Sequence, residues 1–68
     1  MTFSVEVELE ADGRWIAEVV ELPGALAYGA TADEAIARAK ALALRAVAER
    51  LELGETGPEL ADIAFRAA

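Results

Sequence analysis

Sixty-eight residues without a cysteine or a histidine make one domain that can form neither a disulfide nor a zinc site of the usual nitrogen and sulfur ligands. A chain this short buries only about 60% of the surface its unfolded form exposes, so association with other chains is the remaining supplement to a small core. A hydrophobic fraction of 56% excludes a disordered tail, and a net charge of −7 excludes the phosphate neutralisation on which nucleic-acid affinity depends.

That charge is unevenly spread. Residues 1–31 carry six acids against Arg14, whereas residues 32–51 carry three acids against Arg38, Lys40, Arg45 and Arg50. A basic partner suits the acidic first half. The longest apolar runs fall well short of the roughly 20 residues a bilayer requires, and no basic leader precedes an apolar core. The expectations are a cytoplasmic location and no membrane association.

Residues 3–10 alternate strictly, with Phe3, Val5, Val7 and Leu9 at odd positions and Ser4, Glu6, Glu8 and Glu10 at even ones. Period two predicts a strand with one buried face and one wet, acidic face. Asp12-Gly13 reads as a hairpin turn into a second strand from Trp15 to Val20. A two-residue turn would set Val7 opposite Glu18 and bury a carboxylate, which costs several kcal/mol or forces protonation. A three-residue loop pairs Leu9 with Ala17 and Val7 with Val19 instead. Trp15, Ala17 and Val19 then face the core, and Ile16, Glu18 and Val20 join Glu6 and Glu8 outside.

Leu22-Pro23-Gly24-Ala25 fits a type II turn, and a short third strand, Ala25 to Tyr28, stops at Gly29. Thr31 with Glu34 predicts a capping box, opening a helix from Ala32 to about Leu53 that ends at a left-handed Gly54. Ala35, Ile36, Ala39, Leu42, Ala43, Ala46 and Val47 form its broad apolar stripe. Ala37, Ala41, Leu44 and Ala48 form a second, shallow strip, read as helix propensity or as a subunit contact. Glu55-Thr56-Gly57-Pro58 is a loop. In the tail, Ile63 and Phe65 point inward as a fourth strand, with a frayed end or a short helical turn from Glu59 as the alternative.

The fold class is therefore α+β in the order β-β-β-α-β, an antiparallel sheet with one helix on one face. Ser4 is the only serine and histidine is absent, so the usual nucleophile–base pair is excluded, and no phosphate-cradling loop or nucleophile elbow occurs. Neither a catalytic residue nor a cofactor is expected. The enzyme alternative is a Mg²⁺ site built from Glu6, Glu8 and Glu18. It competes with the plainer reading that alternating glutamates are the solvated side of a strand.

Four stretches in this order carry a resemblance. They are Phe3-Ser4-Val5-Glu6-Val7, Asp12-Gly13-Arg14-Trp15-Ile16-Ala17-Glu18-Val19, Glu21-Leu22-Pro23-Gly24-Ala25 and Tyr28-Gly29-Ala30-Thr31-Ala32-Asp33-Glu34-Ala35. Together they resemble the N-terminal domain of HicB-like antitoxins. The resemblance implies a reduced RNase H-like domain without a working set of catalytic acids. It also implies a small basic partner, a HicA-like mRNA-cleaving toxin that the domain neutralises. Family members add a C-terminal DNA-binding domain that this sequence lacks, and Ala25 and Ala30 stand where the family commonly has a cysteine and an acid. The expectation is a stand-alone, homo-oligomeric binding module whose partner surface includes Glu6, Glu8, Glu18, Ile16 and Val20. A structural adaptor with no toxin partner is the alternative.

Overall fold

The computed structural model describes residues 1–55, 57 and 62–68. Residues 56 and 58–61 lie outside that set, and with them part of the expected loop and the alternative helical turn from Glu59. Four strands and one helix follow in the order β1 (Thr2–Leu9), β2 (Trp15–Val19), β3 (Leu26–Gly29), α1 (Ala32–Glu52) and β4 (Ala64–Ala67). They form one α+β unit whose sheet has the strand order β3-β2-β1-β4. The tail is a strand, as expected, and Phe65 packs against the core, but Ile63 precedes the strand and is exposed, so it does not point inward as expected. The expected antiparallel sheet needs correction, because β4 pairs parallel to β1, Phe3 opposite Phe65 and Val5 opposite Ala67. The helix between β3 and β4 returns the chain to the end of the sheet where β1 begins, and a strand starting there runs alongside β1.

The hairpin has a three-residue loop, displaced one residue from its expected place. Glu10 donates its N–H to the Arg14 carbonyl at 2.7 Å, and the Gly13 N–H reaches the Glu10 carbonyl at 3.0 Å. Residues 11–13 therefore form the loop, with Gly13 at a φ of +88°, the left-handed position that completes a three-residue hairpin. Leu9 pairs with Trp15, Val7 with Ala17 and Val5 with Val19, two residues from the expected pairing. Because the shift is two, every side chain keeps its expected face. Asp12 pins the loop by accepting from Arg14 N–H at 3.0 Å and Arg14 Nε at 2.7 Å.

At the next turn the Ala25 N–H meets the Leu22 carbonyl at 3.0 Å with Gly24 at +92°, the expected type II geometry. Thr31 caps α1 by accepting from the Glu34 N–H at 3.1 Å. Only half of the expected capping box forms, because the Glu34 carboxylate turns to Arg38 at 2.6 Å. At the other end Gly54, at +71°, and Glu55 donate back to Leu51 and Arg50, the paired bonds of a Schellman motif.

Ala35, Ala39, Ala43 and Val47 bury the helix against Phe3, Val5, Ala17, Val19, Leu22 and Ala25. Alanines bring the helix close to the sheet. A Cβ on Gly29 would sit 2.6 Å from the Ala35 backbone nitrogen, so only glycine fits where β3 passes beneath the first helical turn.

A helix is roughly 10–12 Å across, while four strands spaced about 4.8 Å apart make a wider floor. The helix packs chiefly over β2 and β3. Val7, 37% exposed, and Leu9, 58% exposed, are left beyond its reach. Trp15, expected to face the core, is half-buried at its flank. Phe3 and Val19 are the largest fully buried side chains, with Phe3 stacked 5.4 Å from the Phe65 ring.

Candidate functional site

The register of β1, β2 and β3 writes a grid on the sheet face opposite the helix. Glu8 lies opposite Ile16 and Ile16 opposite Tyr28, while Glu6 lies opposite Glu18 and Glu18 opposite Leu26. Residues opposite one another across paired strands share a face. The three expected acids and Ile16 thus meet through pairing that local sequence alone does not specify.

Glu6, Glu8, Glu10, Ile16, Glu18 and Leu26 line a shallow concavity of about 160 Å³ on this face. Of the five expected site residues, Glu6, Glu8, Glu18 and Ile16 are brought together there. Val20, just past the end of β2 and 47% exposed, lies outside it. Glu10 and Leu26 were not anticipated. The alternation of β1 already carried the signal for Glu10, whereas Leu26 enters only through the β2–β3 register.

Glu6 and Glu18 are directly opposed, an arrangement of like charges that destabilises a sheet. Among the described residues the ion pairs are Arg14 with Asp12 and Arg38 with Glu34, so none of the four glutamates of the concavity is in one. Asp12 holds Arg14, whose guanidinium carbon lies 4.3 Å from the centre of the Tyr28 ring, a cation–π seat. The Arg14 N–H and side chain hold the Asp12 carboxyl below its ordinary value.

Glu21 has a structural task. Its Oε1 accepts from the Ser4 N–H at 2.7 Å where β2 turns away from β1, and that bond lowers its pKa. No group of three His, Cys, Asp or Glu side chains among the described residues comes together as a metal site. Nor is any helix among them long and apolar enough to cross a membrane. The open face offers negative charge beside branched apolar side chains, a chemistry suited to the stems and heads of lysine and arginine.

Comparison with protein-family models, with curated proteins and with solved structures returns no match.

Proposed function

We propose that the chain is a non-catalytic binding module whose open sheet face docks a cationic protein. The observation that carries this reading is the opposed Glu6–Glu18 pair, flanked by Glu8 and Glu10 and, among the described residues, in no ion pair. A sheet face selected only for solubility would set opposite charges across the strands, since such pairs stabilise and like pairs do the reverse. A basic partner relieves the repulsion, and complementary charge speeds its association and selects it. The sequence resemblance to HicB-like antitoxins supplies a partner of this chemistry, a small basic mRNA-cleaving toxin of the HicA-like kind, and with it a cytoplasmic setting.

Self-association is part of the same proposal. The outward helix face carries Leu44, 48% exposed, and Leu51, 52% exposed, and the buried core is largely alanine. Such a core leaves apolar surface for another copy to cover. Direct nucleic-acid binding is not part of the proposal, because six Lys and Arg against thirteen acids release few counterions.

The test is co-expression with a HicA-like toxin, followed by purification at low and high salt. A complex that forms at low salt, weakens with added salt and is lost on reversing Glu6→Lys with Glu18→Lys supports the reading. Retardation of an RNA or DNA probe by the purified protein, or cleavage of one on adding Mg²⁺, contradicts it and favours the carboxylate-enzyme alternative.

A further inference from the structure

Helix α1 has a second apolar face. Ala35, Ala39, Ala43 and Val47 are buried against the sheet, while on the other side Ala37, Leu44, Ala48 and Leu51 are exposed and Ala41 is half-buried. At about 100° per residue these five fall within an arc of about 80°. Their spacing is four, three, four and three, the 3.5-residue repeat along which two helices pack side by side. Alanine needs no partner to sit there, being the best helix former. Leu44 and Leu51, 48% and 52% exposed, put a large apolar side chain into water at a seven-residue interval.

Charge says what can cover this face. The chain carries −7 overall, which opposes contact between copies through most of the surface. Residues 32–51 are the exception, with Arg38, Lys40, Arg45 and Arg50 against Asp33, Glu34 and Glu49. A cationic partner is drawn to the acidic sheet and not to α1, whereas a second copy is not repelled there.

We infer that two copies pack α1 against α1 in antiparallel, about a two-fold axis level with residue 46. The inference rests on the self-association proposed above and names its contact. The antiparallel sense follows from the order of side chains. It seats Leu44 on Ala48 of the second copy and Leu51 on Ala41 of the second copy, large against small at each level. A parallel pair would stack leucine on leucine and alanine on alanine in alternate layers.

The charged flank agrees. Arg45 and Glu49 are in no ion pair among the described residues. In the antiparallel pair, Arg45 comes level with Glu49 of the second copy to within two residues' rise, roughly 3 Å along the axis. The two Arg45 side chains meet at the axis, with a Glu49 beyond each. Such a contact closes on itself as a dimer. One helix face buries less than the roughly 1,600 Å² of a standard interface, so the dimer is reversible. The helix and the acids lie on opposite faces of the sheet, which leaves both acidic faces open for a partner.

The chain has no cysteine, so introduced cysteines report the contact. Ala41→Cys and Leu51→Cys are expected to form a disulfide when the two variants are mixed and oxidised, because the antiparallel pair brings those positions to bridging distance. Neither variant is expected to link to itself, since its like positions lie about 15 Å apart along the axis. In sedimentation over about 1–500 µM the parent is expected to be a monomer–dimer equilibrium, and Leu44→Glu to weaken it at least about tenfold with its circular dichroism unchanged. A dimer without the mixed disulfide, or one that Leu44→Glu leaves as tight as before, uses another surface; it overturns this inference and leaves self-association standing. A parent that stays monomeric throughout overturns both. Leu44→Glu is expected to bind a HicA-like toxin as the parent does, and loss of that binding puts the toxin on the helix face and overturns the inference. A parent that forms the mixed disulfide and the dimer but binds no toxin supports this contact and overturns the reading of the acidic face alone.

Discussion

The half of the sheet under the helix and the half beside it are built from the same alternating strands, yet one is closed and the other open. Over β2 and β3, alanines at every turn of α1 let the helix settle until Gly29 is the only residue that fits below it. Over β1 and β4, the same face carries Val7 and Leu9 into solvent, and β1 runs past the end of its neighbour. Burial is concentrated in the first half and exposed apolar surface in the second. A single helix is too narrow to cover four strands, and this domain leaves Val7 and Leu9 uncovered on the helix face, behind the acids of the opposite face.

The sharpest way to break that division is Phe3→Ala. Phe3 is fully buried and stacks on Phe65, and removing a buried aromatic costs about 3–5 kcal/mol. Below about 80 residues a core rarely supplies more than that, so the variant is expected to be unfolded at room temperature by circular dichroism. A folded Phe3→Ala variant would mean the core does not lie where the two halves meet. Gly29→Ala follows, at about 1–3 kcal/mol, because the new Cβ meets backbone and not a movable side chain. Val7→Ala on the open half is expected to cost under about 1 kcal/mol, since its side chain is already partly in water. Equal costs at Gly29 and Val7 in urea titrations would erase the distinction.

Thr31→Ala tests the helix start and is expected to cost about 1 kcal/mol through loss of the bond to the Glu34 N–H. The smallest effect concerns pH. Asp12 and Glu21 hold their carboxyls below the ordinary values through bonds to Arg14 and Ser4. Their contribution is complete above the ordinary carboxylate range and fades as pH falls through the lowered folded values. The Ser4 and Arg14 amides should therefore lose exchange protection in acid before the Ala17 and Val19 amides do. Simultaneous loss would show that these carboxylates do not pin the hairpin ends.

The alternation of residues 3–10, the Pro-Gly turn, the Thr31 cap and the Gly54 stop were all legible, since each is local chemistry with a fixed spacing. The facing of β1 and β2 was legible too, because burying Glu18 is prohibitive and either three-residue loop keeps it outside. Three features were not. Hairpin position depends on which residue adopts the left-handed conformation, and Gly13 serves both candidate loops. The direction of β4 is set by where the helix delivers the chain, a three-dimensional fact. The exposure of Val7 and Leu9, and with it the demotion of Trp15 from the core, follows from the seat of the helix across the sheet. The site divides in the same way. Its acids could be read from β1 and β2, but the opposition of Glu6 to Glu18 and the entry of Leu26 needed strand pairing.

The most direct test of the claim that this face is kept for a partner is one variant, Glu18→Lys, measured twice. Lysine opposite Glu6 replaces a like-charge pair with an opposite one, worth roughly 0.2–1 kcal/mol. For a domain of this size, that raises the melting temperature by a few degrees. The expected result is a variant more stable than the parent in urea titration that binds a HicA-like toxin more weakly. A variant that is less stable, or that binds the toxin as well as the parent does, would contradict the claim that the fold tolerates opposed glutamates for the sake of binding.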